Sequence, residues 1–215
     1  MKNPILFTFL IAFCACNIVS EKNVKTITVS DTTFESVQMN DSATIIPIHF
    51  SKKLAFGKYS FTVTSIGDGS IQELNILPIG LSIINDRLID SIDGSVSNAE
   101  IGDINGDGFP EVLVYTNSAG SGSYGNVIGY SCNNGKSMSR IYMPSITDNN
   151  KAAIGYMGHD EFTIGEGRLL RRYPIYHSSE PNSNPSDSIR QIQYKLINGE
   201  ASRKFVIDKI IQFKK

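Results

Sequence analysis

Residues 118–126 read S-A-G-S-G-S-Y-G-N, in which Gly120, Gly122 and Gly125 have the spacing G-x-G-x-x-G. That spacing marks a dinucleotide-binding turn when a strand precedes it and a helix follows, because the free N–H groups and dipole of the helix hold the pyrophosphate. Here a strand pattern does precede the glycines, but residues 126–132, N-V-I-G-Y-S-C, alternate as a second strand and lead into Asn134-Gly135. Residues 143–147, M-P-S-I-T, supply no acid about 20 positions on to hold a ribose. The context excludes a nucleotide site. Nucleophilic chemistry fails as well, since neither Ser121 nor Ser123 stands in G-x-S-x-G. His49, His159 and His177 are scattered, with no metal-ligand spacing and no clustered partner. What remains is a stretch suited to insertion into another molecule. Its glycines remove bulk and permit unusual backbone angles. Ser121 and Ser123 bring small hydrogen-bond donors, and Tyr124 a rigid aromatic body with a polar tip. A flexible hairpin loop without a partner has the same composition, so both readings stand at this point.

A second constellation is Asp103-x-Asn105-x-Asp107-Gly108-x-x-Glu111. Oxygen ligands at alternate positions followed by glycine begin a calcium loop. Val114 stands where a twelve-residue calcium loop would place its bidentate glutamate, and the stretch occurs once rather than in an array. A tight polar turn between two strands is the favoured reading, with calcium held by Asp103, Asn105, Asp107 and Glu111 as the alternative.

These residues need elements to carry them, and the chain supplies short β-like runs. They fall at 44–50, 59–66, 71–77, 87–92, 97–104, 111–116, 126–132, 138–143, 168–176, 189–197 and 204–213. In E-V-L-V-Y-T, residues 111–116, Val112 and Val114 point one way and Leu113 and Tyr115 the other, as in a central strand covered on both faces. Turn signals separate the runs: Gly67-Asp68-Gly69, Asn105 to Gly108, Asn134-Gly135 and Asn198-Gly199. Asn134-Gly135 between alternating runs predicts a hairpin with a type I′ turn. No convincing amphipathic helix is present, and residues 208–213 are read as a final strand rather than a short helix. Residues 178–186, S-S-E-P-N-S-N-P-S, read as one long loop. The expected fold is all-β, an antiparallel β-sandwich with hairpin loops.

The chain has 215 residues, 40% apolar and 19% charged, with a formal net charge of -1. That suits one sizeable domain and provides no basic field for nucleic acid. Met1-Lys2-Asn3 followed by the apolar residues 4–13 has the form of a secretory signal, too short to span a membrane. Its end, Phe13-Cys14-Ala15-Cys16, resembles a bacterial lipoprotein signal in which Cys16 is cleaved to and lipidated, the alternative being ordinary secretion. The expected organisation is a signal over 1–15, a polar tether over 16–42 and one domain over 43–215. Cys132 then stands alone, without a disulfide, as a small buried hydrophobe.

Residues 103–144 resemble the family of periplasmic inhibitors of i-type (invertebrate-type) lysozyme. The stretches that carry the resemblance are D-I-N-G-D-G-F-P-E-V-L-V-Y-T, S-G-S-Y-G and Y-S-C-N-N-G-K-S-M-S-R-I-Y-M-P. Weaker similarity continues through L-L-R-R-Y-P-I-Y at 169–176 and I-Q-Y-K-L at 192–196. The resemblance implies an antiparallel sandwich, often dimeric, that is not an enzyme and needs no cofactor. It implies that a loop enters the lysozyme cleft, with Ser121 and Tyr124 standing at the serine and tyrosine of the family's S-G-x-Y. Gly120, Gly122, Ser123 and Gly125 complete that loop. Lys136 is an accessory candidate, because a related inhibitor family uses a lysine downstream; its place in the Asn-Gly turn is the favoured account of it. The implied setting is the periplasm or outer membrane, with a lipid on Cys16 as the sole membrane attachment.

Overall fold

A computed structural model describes residues 46–177 and 185–214. The signal, Cys16, the tether and residues 178–184 of the expected loop lie outside the described residues. The described residues all fall in one compact unit.

Among the described residues, three meanders of four antiparallel strands follow one another in sequence. The first sheet holds β1 (Ile48–Phe56), β2 (Tyr59–Ile66), β3 (Ile71–Ile79) and β4 (Leu88–Asp93). The second holds β5 (Ser95–Gly102), β6 (Glu111–Asn117), β7 (Gly125–Asn133) and β8 (Ser137–Ile141). The third holds β9 (Glu161–Gly165), β10 (Arg168–Pro174), β11 (Ser188–Asn198) and β12 (Arg203–Lys214). A 3-10 turn at Ile146–Asp148 and the single-turn helix α1 (Asn150–Ala153) link the second sheet to the third.

The all-β sandwich expected from the sequence is therefore present, in three layers. The second sheet is the middle one, because its two faces enter two separate cores. Val112, Val114, Ile128, Tyr130 and Cys132 pack with Phe61, Val63, Leu74 and Ile76 of the first sheet. Leu113, Tyr115, Val127 and Ile141 pack with Leu169, Tyr173, Ile192, Tyr194 and Phe205 of the third. Side chains alternate across a strand, so β6 can feed both cores only if consecutive residues are apolar, as Val112 to Tyr115 are. Cys132 is buried and reduced, and burial pushes its thiol pKa up.

The second and third sheets also meet at their edges. Tyr142 forms a parallel bridge with Lys204, while Glu100 on β5 accepts the N–H of Ile164 (2.8 Å) and the hydroxyl of Tyr115 (2.5 Å). The β7–β8 hairpin turns at Asn134 (φ 51°) and Gly135 (φ 71°), both left-handed as a type I′ turn requires. Two elements depart from the sequence expectation. β1 runs on to Phe56 instead of ending at residue 50, and β9 was not foreseen.

Candidate functional site

The stretch Ser118 to Tyr124 connects β6 to β7, the two central strands of the middle sheet. Strand β7 follows the glycines directly, so the helix required for a pyrophosphate is not there. The loop is closed at its neck, where the Ser118 N–H donates to the Tyr124 carbonyl (3.0 Å) and the Tyr124 N–H to the Ser118 Oγ (3.1 Å). Inside the neck the Ser123 N–H donates to the Gly120 carbonyl (3.0 Å), placing Ser121 and Gly122 at the centre of a tight turn. Ser121 is exposed at that tip, and Tyr124 is 48% exposed.

The glycines serve close approach rather than unusual angles. None of Gly120, Gly122 and Gly125 has a left-handed φ; the residue that does is Ser123, at 42°. A Cβ on Gly122 would lie 2.5 Å from the Tyr124 ring, and one on Gly125 would lie 2.5 Å from the Asp160 Cβ and 2.6 Å from the Phe162 ring. Gly120 has open space around it. Of the two reasons the sequence offered for these glycines, small bulk holds at two of them and backbone freedom at none.

The loop rests on residues 32 and more positions away. The Gly125 N–H donates to Asp160 Oδ2 (2.7 Å), and the His159 N–H donates to the Gly122 carbonyl (2.9 Å). Asp160 Oδ1 accepts from Arg171 Nε at 2.7 Å, in an ion pair whose side chains are 0% and 6% exposed. The Tyr156 hydroxyl donates to Asp160 Oδ2 (2.6 Å) and accepts from Arg171 Nη2 (2.8 Å). Aromatic rings continue the stack, with Tyr124 edge-on to Tyr156 (5.7 Å) and Tyr156 edge-on to Tyr173 (4.9 Å). The Arg171 guanidinium lies 5.1 Å from the Tyr156 ring centre. Its own pKa is raised: burial opposes the charge, but the Asp160 carboxylate more than offsets that. Burial raises the pKa of Tyr156, so this hydroxyl stays a neutral donor.

None of Tyr156, Asp160 and Arg171 was singled out from the sequence. One signal was available. Leu169, Arg171, Tyr173 and Ile175 alternate, which turns Arg171 towards the apolar side of its strand, and a cation there requires a buried partner.

The other candidates lie elsewhere. Lys136 is exposed in the β7–β8 turn, at the far end of β7 from the loop. Nine strand residues separate the two, roughly 29–31 Å at 3.2–3.4 Å per residue. The Asp103 to Glu111 turn is at that far end too, and it is held by its own carboxylates. Asp103 accepts the N–H groups of Gly106 (2.7 Å) and Gly108 (2.8 Å). Asp107 accepts from the Phe109 N–H (2.9 Å), the Asn105 amide (2.9 Å) and Arg203 (2.8 Å). Glu111 is buried and accepts the Ile104 N–H (2.8 Å) and the Ser131 hydroxyl (2.6 Å). Among the described residues, no group of three or more His, Cys, Asp or Glu side chains is placed to hold a metal ion. His49 bonds to the Gly67 carbonyl at 2.7 Å, and the His159 ring lies 6.3 Å from that of Tyr176.

Residues 63–154 match the family described as periplasmic lysozyme inhibitor of I-type lysozyme. No curated protein and no solved structure matches the chain. The matched range runs from within β2 to just beyond α1, so the Ser118 to Tyr124 loop falls inside it and the third sheet outside. The family acts by inhibiting an enzyme and is periplasmic by its description, which supports a lysozyme inhibitor over an enzyme for this chain.

Proposed function

We propose that this protein inhibits an I-type lysozyme by inserting Ser121-Gly122-Ser123-Tyr124 into the lysozyme's active-site cleft. The observation that carries the reading is a closed loop with Ser121 at its exposed tip, anchored on a buried ion pair and lying inside the range matched to the inhibitor family. Lysozymes cut with two carboxyl groups flanking the glycosidic bond. A serine hydroxyl donating to one of them makes a charge-assisted hydrogen bond, while a tyrosine ring fills the space of a sugar. The loop offers no glycosidic bond, so the cleft is occupied without turnover. The neighbouring Gly120 and Gly125 serve the loop from its flanks.

The same reading puts the mature protein in the periplasm or at the outer membrane. It is attached by a lipid on Cys16 once residues 1–15 are removed, with 16–42 as tether, 43–215 as the inhibitory domain, and a second copy as its dimer partner. Intact mass and light scattering of the purified protein read the anchor and the dimer.

The deciding assay measures residual I-type lysozyme activity against increasing inhibitor, wild type beside Ser121→Ala/Tyr124→Ala. Two anchor contacts at about 2 kcal/mol each predict roughly a thousandfold weaker inhibition by the double variant, with the circular dichroism spectrum unchanged. Equal inhibition by the two proteins would rule the loop out as the site. Lysozymes of other types, run in parallel, read selectivity.

A further inference from the structure

The Asp160–Arg171 pair is buried between the second and third sheets, and one carboxylate there gathers three elements. Asp160 binds the first residue of β7 through the Gly125 N–H, β10 through Arg171, and the segment before β9 through the Tyr156 hydroxyl. Buried ion pairs seldom stabilise a fold more than apolar residues of the same volume would, so stability alone does not account for this one. Its geometry points at the loop. Each of its contacts is with a residue that touches the loop or its first strand residue: Gly125 follows Tyr124 directly, Arg171 reaches the Gly125 carbonyl, and Tyr156 backs the Tyr124 ring. Two residues before Asp160, Gly158 has φ 89° and leaves no room for a side chain, since a Cβ would lie 1.9 Å from the Gly122 carbonyl oxygen. That oxygen accepts the His159 N–H. The loop tip is thus seated against the 156–160 segment on one side and the ion pair beneath.

We propose that Tyr156, Gly158, Asp160 and Arg171 are positioning residues, which hold Ser121 and Tyr124 in the docking conformation and set inhibitory strength without touching the lysozyme. This rests on the function proposed above. A loop already ordered before binding loses less conformational entropy on docking, so rigidity is converted into affinity. The four residues lie outside the matched range, which makes the brace a property that the family match does not carry.

Asp160→Asn would leave the Arg171 charge buried without its counter-ion and strongly destabilise the domain. The test therefore uses Tyr156→Phe, which removes one hydroxyl, and Gly158→Ala, which pushes on the Gly122 carbonyl. Leu196→Ala serves as a control, because it weakens the same core at the far end of the third sheet. Two quantities are read in each folded protein: inhibition of I-type lysozyme, and hydrogen exchange of the Gly125 and His159 amides. Both brace variants are expected to inhibit about tenfold more weakly and to exchange those amides about tenfold faster, with Leu196→Ala unchanged in both. Wild-type inhibition or wild-type exchange in both brace variants overturns the proposal, as does an equal loss of inhibition in the control. Exchange needs no lysozyme. If the wild-type protein fails to inhibit, the proposed function falls while the amides still report whether the brace orders the loop.

Discussion

A methyl group on Gly120 would touch nothing within 4 Å, whereas one on Gly122, two residues on, would press against the Tyr124 ring. The ring is half-exposed and can swing away, so the cost of Gly122→Ala falls on the position of Tyr124 more than on the fold. Gly120→Ala is expected to leave both stability and inhibition unchanged, within about 0.5 kcal/mol. Gly122→Ala is expected to keep the melting temperature within a few degrees yet weaken inhibition clearly, as Tyr124 leaves its edge-on contact with Tyr156. Thermal melts and inhibition curves of the two variants check this, and equal inhibition by both would show that the Tyr124 position does not matter. At this scale the exposed tip was legible in the sequence, because glycine, serine and tyrosine declare their chemistry by type. The brace was not, because Asp160 and Arg171 reach Gly125 across 35 and 46 positions, and such contacts leave no local pattern.

Strand β6 carries the loop, and it is buried on both faces. Leu113 and Val114 are neighbours in sequence and belong to different cores. Leu113→Ala and Val114→Ala should therefore each destabilise the domain, by roughly 2–4 kcal/mol for the leucine and somewhat less for the smaller valine. Urea unfolding measures both, and a loss under about 0.5 kcal/mol for either would mean that its face of the sheet is open to water. This double burial could be read from E-V-L-V-Y-T, and so could the Asn134-Gly135 turn, since in each case a local pattern has a single physical cause. The second half of β1 escaped because Ser51-Lys52-Lys53 looks like loop. Lys52 in fact faces inward, and its ammonium group donates to Asn98 Oδ1 and the Ala99 carbonyl, both at 2.9 Å. Strand β9 escaped because five residues are too few to establish an alternation, and its turn into β10 uses a left-handed Glu166 (φ 52°) before Gly167.

Over the whole molecule, the end opposite the loop is held by polar groups, with buried Glu111 linking the Asp103 turn to β7. Burial raises the Glu111 pKa above its ordinary 4.5, against the lowering effect of its hydrogen bonds to Ser131 and Ile104. The folded protein therefore keeps a proton that the unfolded chain releases, and this group's contribution makes stability fall as pH climbs from 4.5 through the raised value. Glu111→Gln cannot titrate. Its melting temperature relative to wild type should rise across that window, whatever constant offset the substitution adds. A difference that stays flat with pH would show that the folded-state pKa is not raised. The order of the three meanders along the chain has a consequence for how the molecule is completed. As the polypeptide emerges, β1 to β8 can pair and bury their shared core before any of the third sheet exists. Leu113, Tyr115, Val127 and Ile141 then face water on a two-layered intermediate, until the last strands arrive to cover them. Because Asp160 and Arg171 follow the first eight strands in the sequence, the emerging chain has its loop early but acquires the loop's seat only once the last strands have arrived.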